Sequence, residues 1–293
     1  MMQGGNKMKV NLKNMNQGDI LLAAIIVVAL ALLPPYLLGF AGGSKGALAG
    51  WLYLIPPAIA VVCGIAAAEA FGKGNPSGGA LRLIMLGLLC WFIGDFIFFA
   101  FEQYLHTDPF PSIADVFYLV AYPLLFIGLY RYAKLSDIEW TPARKMLAWI
   151  AGLLLAAIVF YFGIYLAFDP EAPLLDNLIA MSYGVGDLFL IIAALVVAVM
   201  ASEFRGGLLF RYWNYFTAGM FLMLAADILF AIYPTQYVAG EWPFRQMDLL
   251  WSASYLLFAW ALFGIGFAIK KAETRLLEKL TGMKSEAKGR GRR

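Results

Sequence analysis

The chain has 293 residues, 62% of them hydrophobic and 14% charged, with a formal net charge of +3 and a mean hydropathy of +0.75. That balance lies well outside soluble domains, which run at about 45–50% apolar and about 25% charged. Two cysteines, Cys63 and Cys90, and one histidine, His106, imply no disulfide framework and exclude most zinc chemistry.

Residues 1–18 are polar and basic, and the apolar run that follows is too long for a cleavable signal, so it reads as a start helix that stays. A membrane span needs about 20 mostly apolar residues. Eight stretches qualify, at about 19–41, 47–70, 80–103, 113–133, 143–168, 174–201, 210–233 and 247–269. The expected fold is all-α and integral to the membrane, with eight transmembrane helices over 19–269. Residues 270–293 then read as a cytoplasmic amphipathic helix and basic tail, with Leu276, Leu277 and Leu280 as its apolar stripe and Gly282 as its stop. No span holds a central lysine for a retinal Schiff base, and no phosphate-binding glycine loop or nucleic-acid module is present.

Orientation follows from the basic residues of short loops. Lys7, Lys9 and Lys13, then Lys73 and Arg82, Arg131, Lys134, Arg144 and Lys145, and Arg205 and Arg211 share one side with the basic tail. The opposite loops carry Glu102, Asp108, Asp169, Glu171, Asp176 and Glu241, with only Lys45, His106 and Arg245 as basic or potentially basic groups. Both termini are therefore expected in the cytoplasm of a cell whose plasma membrane the chain crosses.

Carboxylates inside the spans carry the chemical information, because an acid at a span centre costs about 2.5–3.5 kcal/mol on insertion scales. Gly87, Asp95, Asp115 and Tyr122 recur as Gly219, Asp227, Asp248 and Tyr255, at offsets of 132 residues for the first two and 133 for the last two. Asp95 and Asp227 fall in the outer half of spans three and seven. Asp115 and Asp248 open spans four and eight at the outer surface, and Asp187 lies midway along span six. Residues three, four and seven apart share a helix face. Asp115, Tyr118 and Tyr122 therefore form one stripe, and Asp248, Trp251 and Tyr255 its counterpart. Tyr183 joins Asp187, and Trp91 joins Asp95 and Glu102. These residues can line one outward-facing cavity. With no Lys or Arg at matching depth, each deep carboxylate must be protonated, hydrogen-bonded or bound to an added cation. Plainer readings compete: packing or interfacial anchoring for the aromatics, hydrogen-bonded glue for the deep acids, and helix capping for Asp115 and Asp248.

Spans three–four and seven–eight run in the same direction, so the duplication implies an internal parallel repeat about an axis along the membrane normal. The segments WFIGDFIFFAF, PSIADVFYLVAYPLLFIGL, SYGVGDLFLI, GMFLMLAADILFAIY and QMDLLWSASYLLFAWAL resemble the multi-span N-terminal membrane region of many prokaryotic signalling proteins. In those proteins the region precedes GGDEF-type diguanylate cyclase, phosphodiesterase or histidine kinase modules. The resemblance covers about residues 80–265 and implies a sensory input domain, here expected in stand-alone form because the sequence stops at Arg293.

Three functions remain open on these grounds. The first is a non-enzymatic sensor that binds a proton, cation or small ligand from outside, or a protein partner through 270–285. The second is a proton- or cation-coupled transporter built on a 4+4 repeat. The third, a membrane-embedded enzyme, lacks a visible nucleophile or metal set. No cofactor and no nucleic-acid partner are expected, the lipid bilayer is, and the metal question stays open.

Overall fold

Prolines and short polar side chains set where many of the helices begin. A computed structural model of the protein describes residues 17–38, 46–107, 109–136, 138–203 and 208–290, with backbone alone for 17–19, 46–47, 203, 208, 276–277 and 279–290. α1 (Gln17–Leu37) carries Pro34 and Pro35 near its end. α2 (Gly46–Tyr53) gives way at Leu54 to α3 (Ile55–Ala70), whose first turn holds Pro56 and Pro57. There the missing N–H groups have no intrahelical partner to lose, so these prolines start a helix rather than kink one. α4 (Pro76–Ala100) begins at Asn75, whose side chain accepts from Ser77 N at 2.9 Å, and ends in a π-helical turn over Phe101–Leu105. α5 (Ile113–Lys134) begins with a capping box: Ser112 Oγ accepts from Ala114 N at 3.1 Å, and Asp115 accepts from Ser112 N at 2.6 Å.

α6 (Pro142–Val159), capped by Thr141, passes into a π-helical segment over Phe160–Tyr165. α7 (Leu174–Glu203), α8 (Leu208–Ile232) and the short α9 (Pro234–Val238) follow. A 3₁₀ turn over Phe244–Gln246 then leads into α10 (Met247–Arg290). The expected stop at Gly282 is not there: α10 runs on unbroken for 44 residues. One glycine costs a helix about 1 kcal/mol, and the surrounding Leu, Lys, Glu and Ala residues are strong helix formers. The side chains of the Leu276, Leu277 and Leu280 stripe lie outside the described residues.

Among the described residues there is no strand, and eight helices are long and apolar enough to cross a membrane. Six helices close a ring in the order α3, α4, α5, α7, α8, α10 and back to α3, with α4–α5 and α8–α10 the most extensively packed pairs. α1 rests against α10, and α6 against α7. The main core fills the ring, from Leu81 and Ile84 through Trp213 and Phe216 to Leu262 and Ile265. The flanks are the reverse: Val27 and Leu30 of α1, and Leu147, Trp149 and Leu153 of α6, are 60–71% exposed. Such faces suit hydrocarbon rather than water as solvent. The eight apolar spans fit a multi-pass membrane protein.

One end of the bundle, where α4 stops and α5 and α10 start, gathers Glu102, Asp115 and Asp248. We call it the acidic end. The other carries Lys73, Arg82, Arg131, Lys134, Arg144, Lys145, Arg211 and Lys270 and is the basic end.

Candidate functional site

α4 and α8 are 25 residues each, and Asp95 and Asp227 stand at the same position from their starts. Asp95 is 6% exposed, and both of its oxygens are taken: Oδ1 accepts from Tyr118 of α5 and Oδ2 from Tyr255 of α10, each at 2.9 Å. One carboxylate thus joins three helices of the ring. Asp227 is half-buried and accepts from Trp251 Nε1 of α10 at 2.8 Å. Asp187 of α7, 4% exposed, accepts from Tyr122 of α5 at 3.0 Å. Trp91 stands edge-on to both Tyr122 and Tyr255, at 6.0 and 6.3 Å between ring centroids. Glycine allows these rings their place: a Cβ at Gly94 would meet the Tyr118 ring at 2.7 Å, and one at Gly186 the Tyr122 ring at 2.5 Å.

Sequence spacing puts these side chains on the right faces, but the partners lie on other helices. Tyr183 does not bond Asp187 on its own helix. It donates across to Asp115 at 2.5 Å, because Asp115 faces α7. Its ring also neighbours those of Tyr118 and Tyr122, at 6.3 and 6.4 Å. Asp115 is therefore both cap and network member, with Oδ2 on the Ser112 backbone and Oδ1 on Tyr183. Asp248 sits in the first turn of α10, yet its bonds are to side chains: Tyr36 at 2.8 Å and Tyr237 at 2.6 Å. Glu102 does not share a site with Trp91 and Asp95. The π turn carries it to Arg245, which grips it in a fork of 2.8 and 2.9 Å.

Arg245 was visible in the sequence only as a loop charge. It is 8% exposed and stands over the Tyr237 ring at 4.5 Å. Its Nε lies 3.3 Å from Asp248 Oδ2, near enough for ion pairing but out of line for a hydrogen bond. Arg245, Tyr36 and Tyr237 are the network members that sequence reasoning passed over, and Glu102 is one that it grouped with other partners. The available signal was the spacing of Arg245 three residues before Asp248, which stacks the two on one face. The deep acids have no such cation: among the described residues, no ion pair involves Asp95, Asp187 or Asp227.

Among the described residues, two small cavities are lined by helices of the ring. One, of about 10 Å³, is bounded by Asp187 and Asp227 and otherwise by hydrocarbon. The other, also about 10 Å³, has Leu88, Trp91, Leu125, Met220, Met223 and Phe258 in its wall. Each has room for about one water molecule. Among the described residues, no cluster of three or more His, Cys, Asp or Glu side chains is placed to hold a metal ion.

The arrangement can hold protons and hydrogen bonds at several carboxylates and can tie helices together through them. No family model, curated protein or solved structure matches the chain.

Proposed function

We propose that this multi-pass protein is a non-enzymatic sensor domain of the plasma membrane. Its buried carboxylate–tyrosine network takes up a proton, cation or small polar ligand from the acidic end, and the two halves of the bundle repack in response. The observation that carries the reading is Asp95, held between Tyr118 of α5 and Tyr255 of α10. A change of charge there acts on both tyrosine bonds at once, and a full charge in a low-dielectric interior is a large perturbation.

The two halves are an internal repeat in this reading, and matching contacts support it. A Cβ at Gly87 would meet Leu125 and the Ala121 carbonyl, and one at Gly219 would meet Phe258 and the Ser254 carbonyl, each 132 or 133 residues further on. Asp95–Tyr118 corresponds to Asp227–Trp251. The hydrocarbon cavity is walled by the related pairs Leu88 and Met220, Trp91 and Met223, and Leu125 and Phe258.

The basic end faces the cytoplasm by the positive-inside rule. The unbroken run of α10 beyond Lys270 gives a route from the network to a cytoplasmic or membrane partner through 270–285. This agrees with the resemblance to input regions of prokaryotic signalling proteins. A proton- or cation-coupled transporter is the second reading, supported by the same repeat. It is weaker because the polar groups gather toward the acidic end, while Leu81, Ile84, Leu129 and Leu262 are all within 1% of full burial and fill the ring with hydrocarbon.

The test is thermal stability of the purified protein against pH and added cations, for wild type and for Asp95→Asn, Asp187→Asn and Asp227→Asn. The sensor reading expects a pH- or cation-linked change in wild type that the variants lose. Superimposable curves for all four proteins make the carboxylates structural and remove the reading's support.

A further inference from the structure

The cavity between α7 and α8 has two polar walls that face no cation among the described residues. Asp187 is 4% exposed, and Tyr122 engages its Oδ1 alone. Its Oδ2 has no donor among the described residues. Across the space, Asp227 uses Oδ1 for Trp251, and its Oδ2 likewise has no donor among them. The remaining wall is hydrocarbon, from Leu190 and Ile191 of α7 to Met220 and Leu224 of α8.

The groups packed around the pair are few. α5 contributes Tyr122 and, further toward the acidic end, Asp115 with Tyr183 of α7. α10 contributes Trp251 and Tyr255, the latter already bonded to Asp95. The π-helical segment against α7 contributes Tyr161 and Tyr165, both at least 50% exposed. Among the described residues, none of these elements points a Lys, Arg or His at the pair.

We propose that Asp187 and Asp227 together hold one proton, directly or through a single water in the cavity between them. This deepens the sensor reading by naming its ligand and rests on it. Two carboxylates around one small apolar space cannot both stay charged without a cation. A hard cation asks for about six oxygen ligands, and two carboxylates among hydrocarbon supply too few. A volume of about 10 Å³ takes one water and nothing larger. Uptake forms one O–H bond on a free carboxylate oxygen, using a proton from bulk water. The pair then goes from two negative charges to one, and the remaining free oxygen accepts from the new O–H, directly or by way of the water.

The experiment is infrared difference spectroscopy of the whole protein in lipid nanodiscs at neutral pH. We expect a carboxylic-acid carbonyl band that shifts in D₂O, and that Asp187→Asn and Asp227→Asn each remove or displace the same band. Wild type supplies a second arm that needs no variant to fold: raising sodium at fixed pH leaves the band in place. Absence of the band in wild type, its persistence unchanged in either variant, or its loss on adding sodium overturns the proposal. If the band behaves as expected while the bundle's packing ignores pH, the proton site stands and the sensing reading falls.

Discussion

Asp95 accepts a tyrosine O–H on each oxygen, so the effect of replacing it depends on which bonds survive. Asparagine keeps one acceptor and turns an amide donor toward the other tyrosine. Leucine leaves both hydroxyls without an acceptor in the interior. Each orphaned buried polar group costs about 1–3 kcal/mol. Asp95→Leu should therefore destabilise by roughly 2–6 kcal/mol, and Asp95→Asn by clearly less, as read by thermal unfolding in detergent. Equal effects of the two would mean that the tyrosine bonds contribute nothing.

Arg245 gives a second residue-scale prediction, because it serves two acids unequally. Removing one partner of a buried ion pair costs about 3–5 kcal/mol, chiefly through the charge left behind. Arg245→Met strands both Glu102 and Asp248 and should reach that range. Glu102→Gln should cost less, since Arg245 keeps Asp248 and the Glu102 side chain is 25% exposed. The same unfolding measurement ranks the two variants, and the reverse order would contradict the clasp as described.

At the scale of the element, glycine sets how closely the paired helices approach. A Cβ at Gly87 would lie 2.5 Å from Leu125, and one at Gly219 would lie 2.7 Å from Phe258. Overpacking of that kind costs about 1–3 kcal/mol. Gly87→Ala and Gly219→Ala should each lose that much, whereas Gly79→Ala, with nothing within 4 Å, should be neutral or slightly stabilising. Melting temperatures of the three single variants check this, and a harmless Gly87→Ala would argue against close α4–α5 packing.

Much of this level was legible beforehand, because a span is a matter of length and hydropathy and both are local. The eight spans lie within a few residues of where the apolar runs put them. The extent of α10 was not legible: Gly282 looked like a terminator, but propensity on both sides of it outweighs one glycine. The π turn at Phe101–Leu105 leaves no periodic mark, so the turning of Glu102 toward Arg245 could not be anticipated.

For the whole molecule, helical spacing tells which face a side chain takes but not which helix meets that face. Tyr118, Tyr122 and Tyr183 were all marked by their positions beside acids on their own helices. Each bonds an acid elsewhere, at Asp95, Asp187 and Asp115 respectively. The ring order that decides those partners is a long-range property, set by how α5 meets α7 and α10 meets α3.

The same order makes the central claim testable, because α5 and α10 start in the carboxylate network and end at the basic end. Spin labels at Lys134→Cys and Lys270→Cys, with Cys63 and Cys90 replaced by alanine, report the distance between those ends in lipid bilayers. Helix shifts in switching transitions run to about 1–2 Å or more. The account predicts a pH-dependent shift of at least that order in the carboxylate-intact protein, abolished by Asp95→Asn. A single distance distribution, unchanged from mildly acidic to mildly alkaline pH and identical in the variant, would contradict it.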